Sequence, residues 1–446
     1  MTDDDFGLVI HGRQVLIEGH FIEAWIGVEQ STIAAVSHVP LAGRKSAELA
    51  DGDVLIPGIV DTHVHVNDPG RSEWEGFASA TRAALAGGVT TLIDMPLNSI
   101  PPTISVDALN EKRSVAAGTT LINTGFWGGA VPENLGQLQK LHDAGVFGFK
   151  AFLSPSGVPE FGHLNRAQLF AALEEIASFS GVLIVHAEDP GVLNDHQNRG
   201  GPSYSKFVDS RPPAAERNAI ADIIDGVRAT GARAHILHLS SVESIPMLRA
   251  ARAEGLQITV ETCPHYLAFV EEEVPDGATQ FKCCPPIRDR ANQEALWSAL
   301  VEGDIDMIVS DHSPSTRELK FAGGGDFGMA WGGIAGIQSS LAAVWTEARE
   351  RGIGLERVAQ WMSSAPARFV GLAAKGSVEV GSDADLVSFS PEQEFRLEPA
   401  DLLYRNTVSA YLGRTLRGVV GSTWIGGVAV SPSDDSDRRG ILLCRG

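Results

Sequence analysis

The 446-residue chain has no uninterrupted apolar run of about 20 residues, the length a helix needs to cross a bilayer. No membrane-spanning helix is expected. Its four cysteines, Cys263, Cys283, Cys284 and Cys444, are irregularly spaced. They form neither a disulfide framework nor a CxxC zinc motif. Positive charge is scarce: 35 Lys and Arg stand against 56 Asp and Glu, a formal net charge of −21. That surface repels nucleic acid and anionic membrane, so neither is an expected partner. The opening Met1-Thr-Asp-Asp-Asp-Phe6 lacks the basic and apolar segments of a secretory signal. A soluble, cytoplasmic protein is expected. No GxGxxG follows a first strand, which speaks against a dinucleotide fold. No internal repeat is visible.

What is present is hydrophobic content, 43% of residues, enough for one large core and a smaller domain. Residues 7–50 read as short strands without helical periodicity. The same texture returns in 376–389 and 419–430. One small β domain built from both ends, 1–52 and 376–446, is expected. The middle, 53–375, alternates. Apolar, β-branched runs lie near 54–63, 89–95, 119–126, 146–152, 182–187, 234–239, 257–262 and 305–311. Helical patterns such as 75–86, 133–144, 166–178 and 214–230 fill most of the intervals. Alternation of this kind predicts an α/β fold with a parallel sheet. Eight runs predict a (β/α)8 TIM barrel, which places its chemistry at the C-terminal strand ends. A doubly wound open sheet is the alternative.

Ionisable residues gather at those ends. His63 and His65 close the first run, and residues two apart on a strand share a face. Lys150 lies in the fourth run, His186 ends the fifth, His238 is near the end of the sixth, and Asp311 ends the eighth. Singly, each has an ordinary explanation: a satisfied buried histidine, a snorkelling lysine, a helix-capping aspartate. Jointly they point to a metal centre. An ammonium is no ligand, but a desolvated lysine loses its proton more easily. The neutral amine adds CO2 to give a carbamate, whose two oxygens can bridge two cations. Two divalent metal ions are therefore expected. Mixed nitrogen and oxygen donors suit zinc, with Fe, Co or Mn as alternatives. Such a pair lowers the pKa of water and polarises a carbonyl. Asp311 is the expected general base and acid. The reaction class is metal-dependent hydrolysis of a C–N amide bond. His235, an odd number of positions before His238, should face away from the metals. His265 is expected behind the ligands as a support.

At these residues the chain resembles the cyclic-amidase branch of the amidohydrolase superfamily, which holds dihydroorotases, hydantoinases and allantoinases. The resemblance runs through Pro57-Gly-x-Val-Asp-x-His-x-His65, Gly87-Gly-Val-Thr-Thr91, Phe149-Lys-Ala151, Val185-His-Ala-Glu188 and His238-Leu-Ser-Ser241. It continues through Glu261-Thr-Cys-Pro-His-Tyr-Leu267, Lys282-Cys-Cys-Pro-Pro-Ile-Arg288 and Ser310-Asp-His-Ser-Pro314. It implies a carboxylated Lys150. It also implies His63, His65 and Asp311 on one metal and His186 and His238 on the other. A β-sandwich from both termini and a homotetramer are further implications.

Within the branch, dihydroorotases usually carry Arg where this chain has Asn67. Hydantoinases usually carry Tyr where it has Pro155. The text from His65 to Phe77, from Asp94 to Thr103 and from Trp331 to Gln338 is similar to allantoinases. The implied substrate is a small cyclic amide, allantoin, opened to allantoate. Hydantoins or dihydropyrimidines, then dihydroorotate, then a non-catalytic scaffold are the alternatives. By resemblance, backbone groups at Cys284 and Gly332 hold the imide. Asn67 and Asn98 are further expected contacts.

Overall fold

The structure is a computed structural model that describes residues 5–197, 199–434 and 438–445. The N-terminal strands are β1 (Leu8–Ile17), β2 (His20–Glu29), β3 (Thr32–Ser37), β4 (Ser46–Glu48) and β5 (Val54–Pro57). Glu18 and Gly19 join β1 to β2 with φ of 48° and 81°, the twist that a tight two-residue hairpin needs. Ile10, Val15, Ile26 and Leu55 lie on the buried side, together with Leu386 and Trp424 from the far end of the chain.

The barrel strands are β6 (Ile59–Val64), β7 (Val89–Asp94), β8 (Asn123–Phe126), β9 (Gly128–Gly129), β10 (Phe149–Phe152), β11 (Val182–His186), β12 (Arg233–Ile236), β13 (Ile258–Thr262) and β14 (Met307–Ile308). All pair in parallel with their neighbours. β8 and β9 are two pieces of one barrel strand, interrupted at Trp127, whose Nε1 donates to the Thr62 carbonyl at 2.8 Å. The ring closes where Val64 bridges His312 and the His65 amide donates to the His312 carbonyl at 2.8 Å. Eight strand positions thus form the expected TIM barrel. The C-terminal strands β15 (Leu386–Arg396), β16 (Thr415–Ile425) and β17 (Val428–Val430) complete the second sheet, in the order β17-β16-β15-β5-β1-β2-β3 with β4 on β1. This is the β-sandwich domain drawn from both ends.

Two segments depart from the expected division of the chain. The apolar run 54–63 splits at Gly58. Its first half, β5, pairs with β1 and β15, and only its second half enters the barrel. Any side chain at 58 would place its Cβ 2.1 Å from Thr90 Oγ1, so the chain passes close to β7 here only as glycine. The second segment is the tail. Leu442 bridges Thr124, and the Leu443 amide donates to the Thr124 carbonyl at 2.8 Å. The tail therefore lies on the barrel and not on the terminal sheet. At Thr124 the outer edge of β8 is paired by the tail, which supplies its backbone hydrogen bonds.

Candidate metal centre and its cavity

The strand ends bring the six expected side chains together. His63 Nε2 lies 3.1 Å from Asp311 Oδ1 and 3.4 Å from Lys150 Nζ. His65 Nε2 lies 3.6 Å from the same Asp311 oxygen. His186 Nδ1 and His238 Nε2 are 3.0 Å apart. The His63 and His238 rings are 5.5 Å apart between centroids, which links the two pairs. All six side chains are buried. Donor atoms of His63, His65 and Asp311 lie within 4.8 Å of one another, a group that can hold a metal ion.

Hydrogen bonds fix which ring nitrogen faces inward. His63 Nδ1 meets Glu261 Oε1 at 2.5 Å, and His186 Nε2 meets Glu188 Oε2 at 2.8 Å. A carboxylate only accepts, so each of these nitrogens carries the proton. In the neutral ring the opposite nitrogen then presents its lone pair to the centre. Burial pushes the His65 and His238 imidazoles well below the usual histidine range, which favours the neutral, ligating form. The donor set fits divalent cations.

Lys150 is 1% exposed, and burial lowers its pKa to about 8. Among the described residues, no carboxylate approaches its amine within 4.0 Å. Burial raises the pKa of Asp311, but the His63, His238 and His65 rings outweigh it and hold the carboxyl well below its usual range. His238 and Asp311 adopt φ of 37° and 43°, a left-handed backbone uncommon for such residues. Both lie at strand ends, where the strain aims each side chain at the centre.

The centre opens into a cavity of about 440 Å³. Of the expected substrate contacts, Asn98, Cys284 and Gly332 line it. Asn67 does not. Its side chain is buried and donates to the Pro314 carbonyl at 3.2 Å, and its φ is 66°. Asn67 thus sits in a turn conformation just outside the lining, and its place as a contact remains a proposal. Pro155 lines the wall at the position where a hydantoinase usually carries tyrosine. His235 binds Thr259 Oγ1 at 2.7 Å and Glu261 Oε2 at 2.9 Å, away from the metal side.

Several residues escaped the sequence reading. Glu261 joins His63 to His235. Glu188 joins His186 to Arg211, whose guanidinium also lines the cavity. Lys282 lines it as well, with Nζ donating to the Ala330 carbonyl at 2.5 Å. Glu188 and Glu261 stood inside quoted motifs, so their position was a signal. Arg211 follows the short helix Tyr204–Asp209 in the long excursion after β11 and ends no strand, so no pattern marked it.

Residues 54–430 match the Amidohydrolase family. An allantoinase from Streptomyces avermitilis is 54% identical over 99% of this chain and 99% of its own. The chain belongs to the allantoinase family of amidohydrolases. The allantoinase of Arabidopsis thaliana is 46% identical over 84% of this chain and 77% of its own. Among solved structures, the L-hydantoinase (dihydropyrimidinase) from Arthrobacter aurescens superposes with a TM-score of 0.90 at 29% identity, covering 99% of this chain and 98% of that one. No helix among the described residues is long and apolar enough to cross a membrane.

Proposed function

We propose that this allantoinase-family chain hydrolyses the ring amide of allantoin to allantoate. The observation that carries the reading is the convergence of four histidines, Lys150 and Asp311, all but His63 lining one small cavity, in a chain 54% identical to a named allantoinase. His63, His65 and Asp311 would hold one divalent cation and His186 and His238 the other, with Lys150 bridging as its carbamate. Zinc is the proposed metal, with Fe, Co or Mn as the alternatives. When bound, such a pair supplies an acidified water and a polarised carbonyl.

The chain's own residues do the rest. Asp311 is an ionised carboxylate on the cavity wall, placed to take a proton from the attacking water. It returns that proton to the ring nitrogen as the C–N bond breaks, leaving a carboxylate and a freed ureide nitrogen. Water contributes the oxygen, and no electrons are exchanged. Asn98 and the backbone at Cys284 and Gly332 are the proposed holders of the ring. Lys320 fixes the two loops that carry Cys284 and Gly332. Its ammonium donates to the carbonyls of Lys282 at 3.0 Å, Trp331 at 3.1 Å and Gly333. Allantoin is neutral, so a site built mainly of hydrogen-bonding groups suits it.

A homotetramer is the proposed assembly, by family resemblance, and light scattering on the purified chain tests it. The cytoplasm is the proposed location. The four free cysteines fit a reducing compartment. The test of function is a panel of allantoin, hydantoin, dihydrouracil and dihydroorotate on metal-reconstituted protein. Allantoin should turn over fastest. Faster turnover of hydantoin or dihydrouracil would move the chain to the hydantoinases. Metal uptake without turnover of any of the four would make it a scaffold.

A further inference from the structure

The seventh barrel strand, β13, sends no ligand to the metal pair. The residues just beyond it still face the centre. Cys263 follows Thr262 directly, and His265 lies two positions on, in the short helix Pro264–Ala268. The Cys263 sulfur, a ring nitrogen of His265 and a carboxylate oxygen of Asp311 lie within 4.8 Å of one another. Both Cys263 and His265 are fully buried. Neither nitrogen of His265 has a hydrogen-bond partner. A buried imidazole normally satisfies at least one nitrogen, because desolvation without a replacement bond is costly. His235, equally buried on the adjacent strand, satisfies both of its nitrogens. His265 behaves differently. It keeps its lone pair free beside a thiol and a carboxylate.

Thiol, imidazole and carboxylate together form the donor set of a soft or borderline divalent cation such as zinc, cadmium or cobalt. We propose that Cys263, His265 and Asp311 form a second, thiophilic metal site, separate from the histidine pairs and competing with them for Asp311. An ion would enter from the cavity, since Asp311 lines it. As the metal–sulfur bond forms, the Cys263 S–H ionises and its proton leaves to solvent. Nothing is oxidised or reduced. The consequence rests on the proton-carrying role given to Asp311. A carboxylate drawn to this site is withdrawn from the attacking water, so excess soft cation inhibits. Hard cations such as magnesium, which thiolate does not favour, leave the site alone.

The test is a cobalt titration of the metal-stripped protein, followed by absorption and by allantoin turnover. The histidine pairs offer only nitrogen and oxygen, so filling them gives no thiolate-to-cobalt charge-transfer band. The proposal expects that band to appear once cobalt exceeds two equivalents, with turnover falling alongside it. Cys263→Ser should lack the band, keep its turnover at stoichiometric metal, and need about tenfold more cobalt for half inhibition. His265→Asn, a second variant in case the first fails to fold, should weaken the band's apparent affinity by about tenfold. A band that never appears in the parent protein overturns the site. So does one that survives in Cys263→Ser, which would move the sulfur to Cys283 or Cys284. Inhibition unchanged in both variants overturns the competition for Asp311. The band is read without substrate, so a protein that left allantoin untouched would still answer the question.

Discussion

The two histidine pairs, given the same job in the proposed centre, have different surroundings. His63 and His65 are set in the core of the barrel. Asp61 accepts from the His63 amide at 3.1 Å and from the Ser310 amide at 3.2 Å, tying β6 to the eighth strand end. Asp94 accepts from the Val66 amide at 2.8 Å and is itself held by Lys112 at 2.5 Å. Glu261 fixes the His63 ring and is fixed in turn by His235. None of these buttresses lines the cavity. His186 and His238 both sit on the cavity wall, whereas of the first pair only His65 reaches it. Glu261 reaches this pair only through the His238 amide, at 3.2 Å, while the carboxylate on the His186 ring, Glu188, leans on Arg211, and Arg211 lines the wall too. The supports of the first pair lie within the fold, while the support of the His186 ring is tied to the surface that meets substrate. The first should bind its ion more rigidly. The second should feel changes in the cavity.

The largest way to sharpen the comparison is to remove what joins the pairs. Lys150→Ala should lower turnover by about 10⁴-fold or more, comparable to the loss of a residue on which a whole catalytic unit depends. Elemental analysis of the variant should show that the two-ion stoichiometry is lost. Full activity with two bound ions would refute the bridge. Next, Glu261→Gln and Glu188→Gln should each weaken metal retention by about 10- to 100-fold. Their side effects should differ. Glu261→Gln also unpairs His235 in the core, so its thermal midpoint should drop further than that of Glu188→Gln. Equal drops would mean that the contrast between core and wall is not energetic.

The sequence made the barrel legible because its evidence is periodic. Strand ends recur at regular places, and ionisable residues at five of them form a pattern that chance does not readily produce. The proposed ligand set followed from that pattern. What escaped depended on contacts between distant segments. The exchange of partners at Gly58 depends on how close β6 runs to Thr90. The docking of the tail depends on an open edge of β8 at Thr124, which appears only once the barrel is formed. The place of Asn67 outside the lining was not legible because an Asn can serve a turn or a ligand equally, and its φ of 66° appears only in the structure. Arg211 had neither period nor motif to mark it. Its place on the wall comes from the folding of the excursion 187–213.

Arg211 also offers a smaller test. If the wall pair is coupled to substrate through it, Arg211→Lys keeps the charge but loses the planar fork that serves Glu188 and the cavity at once. The value of kcat/KM for allantoin should fall by about 10- to 100-fold, equivalent to about 1–3 kcal/mol. If the guanidinium touches the ureido arm, hydantoin, which lacks that arm, should lose less. An equal loss with both substrates would restrict Arg211 to holding Glu188.

The mildest expected effect is on the pH dependence of assembly. Carbamate formation needs the neutral Lys150 amine, and burial sets its pKa at about 8 against an ordinary value of 10.5. Raising the pH deprotonates the amine, so the neutral fraction climbs from about a tenth at pH 7 to about nine-tenths at pH 9. Metal-stripped protein given zinc and a fixed concentration of dissolved CO2 should therefore regain activity several-fold faster at pH 9 than at pH 7. An exposed lysine would change in the same direction but start from a far smaller neutral fraction at pH 7. Fluorescence of a zinc indicator, followed during reloading, would separate uptake by the histidines from capture of CO2. His65 and His238 are held neutral by burial across this range and should show little pH dependence. Recovery that is flat from pH 7 to 9 would mean that the amine is not the group that limits assembly, and the bridge would then have to close by another route.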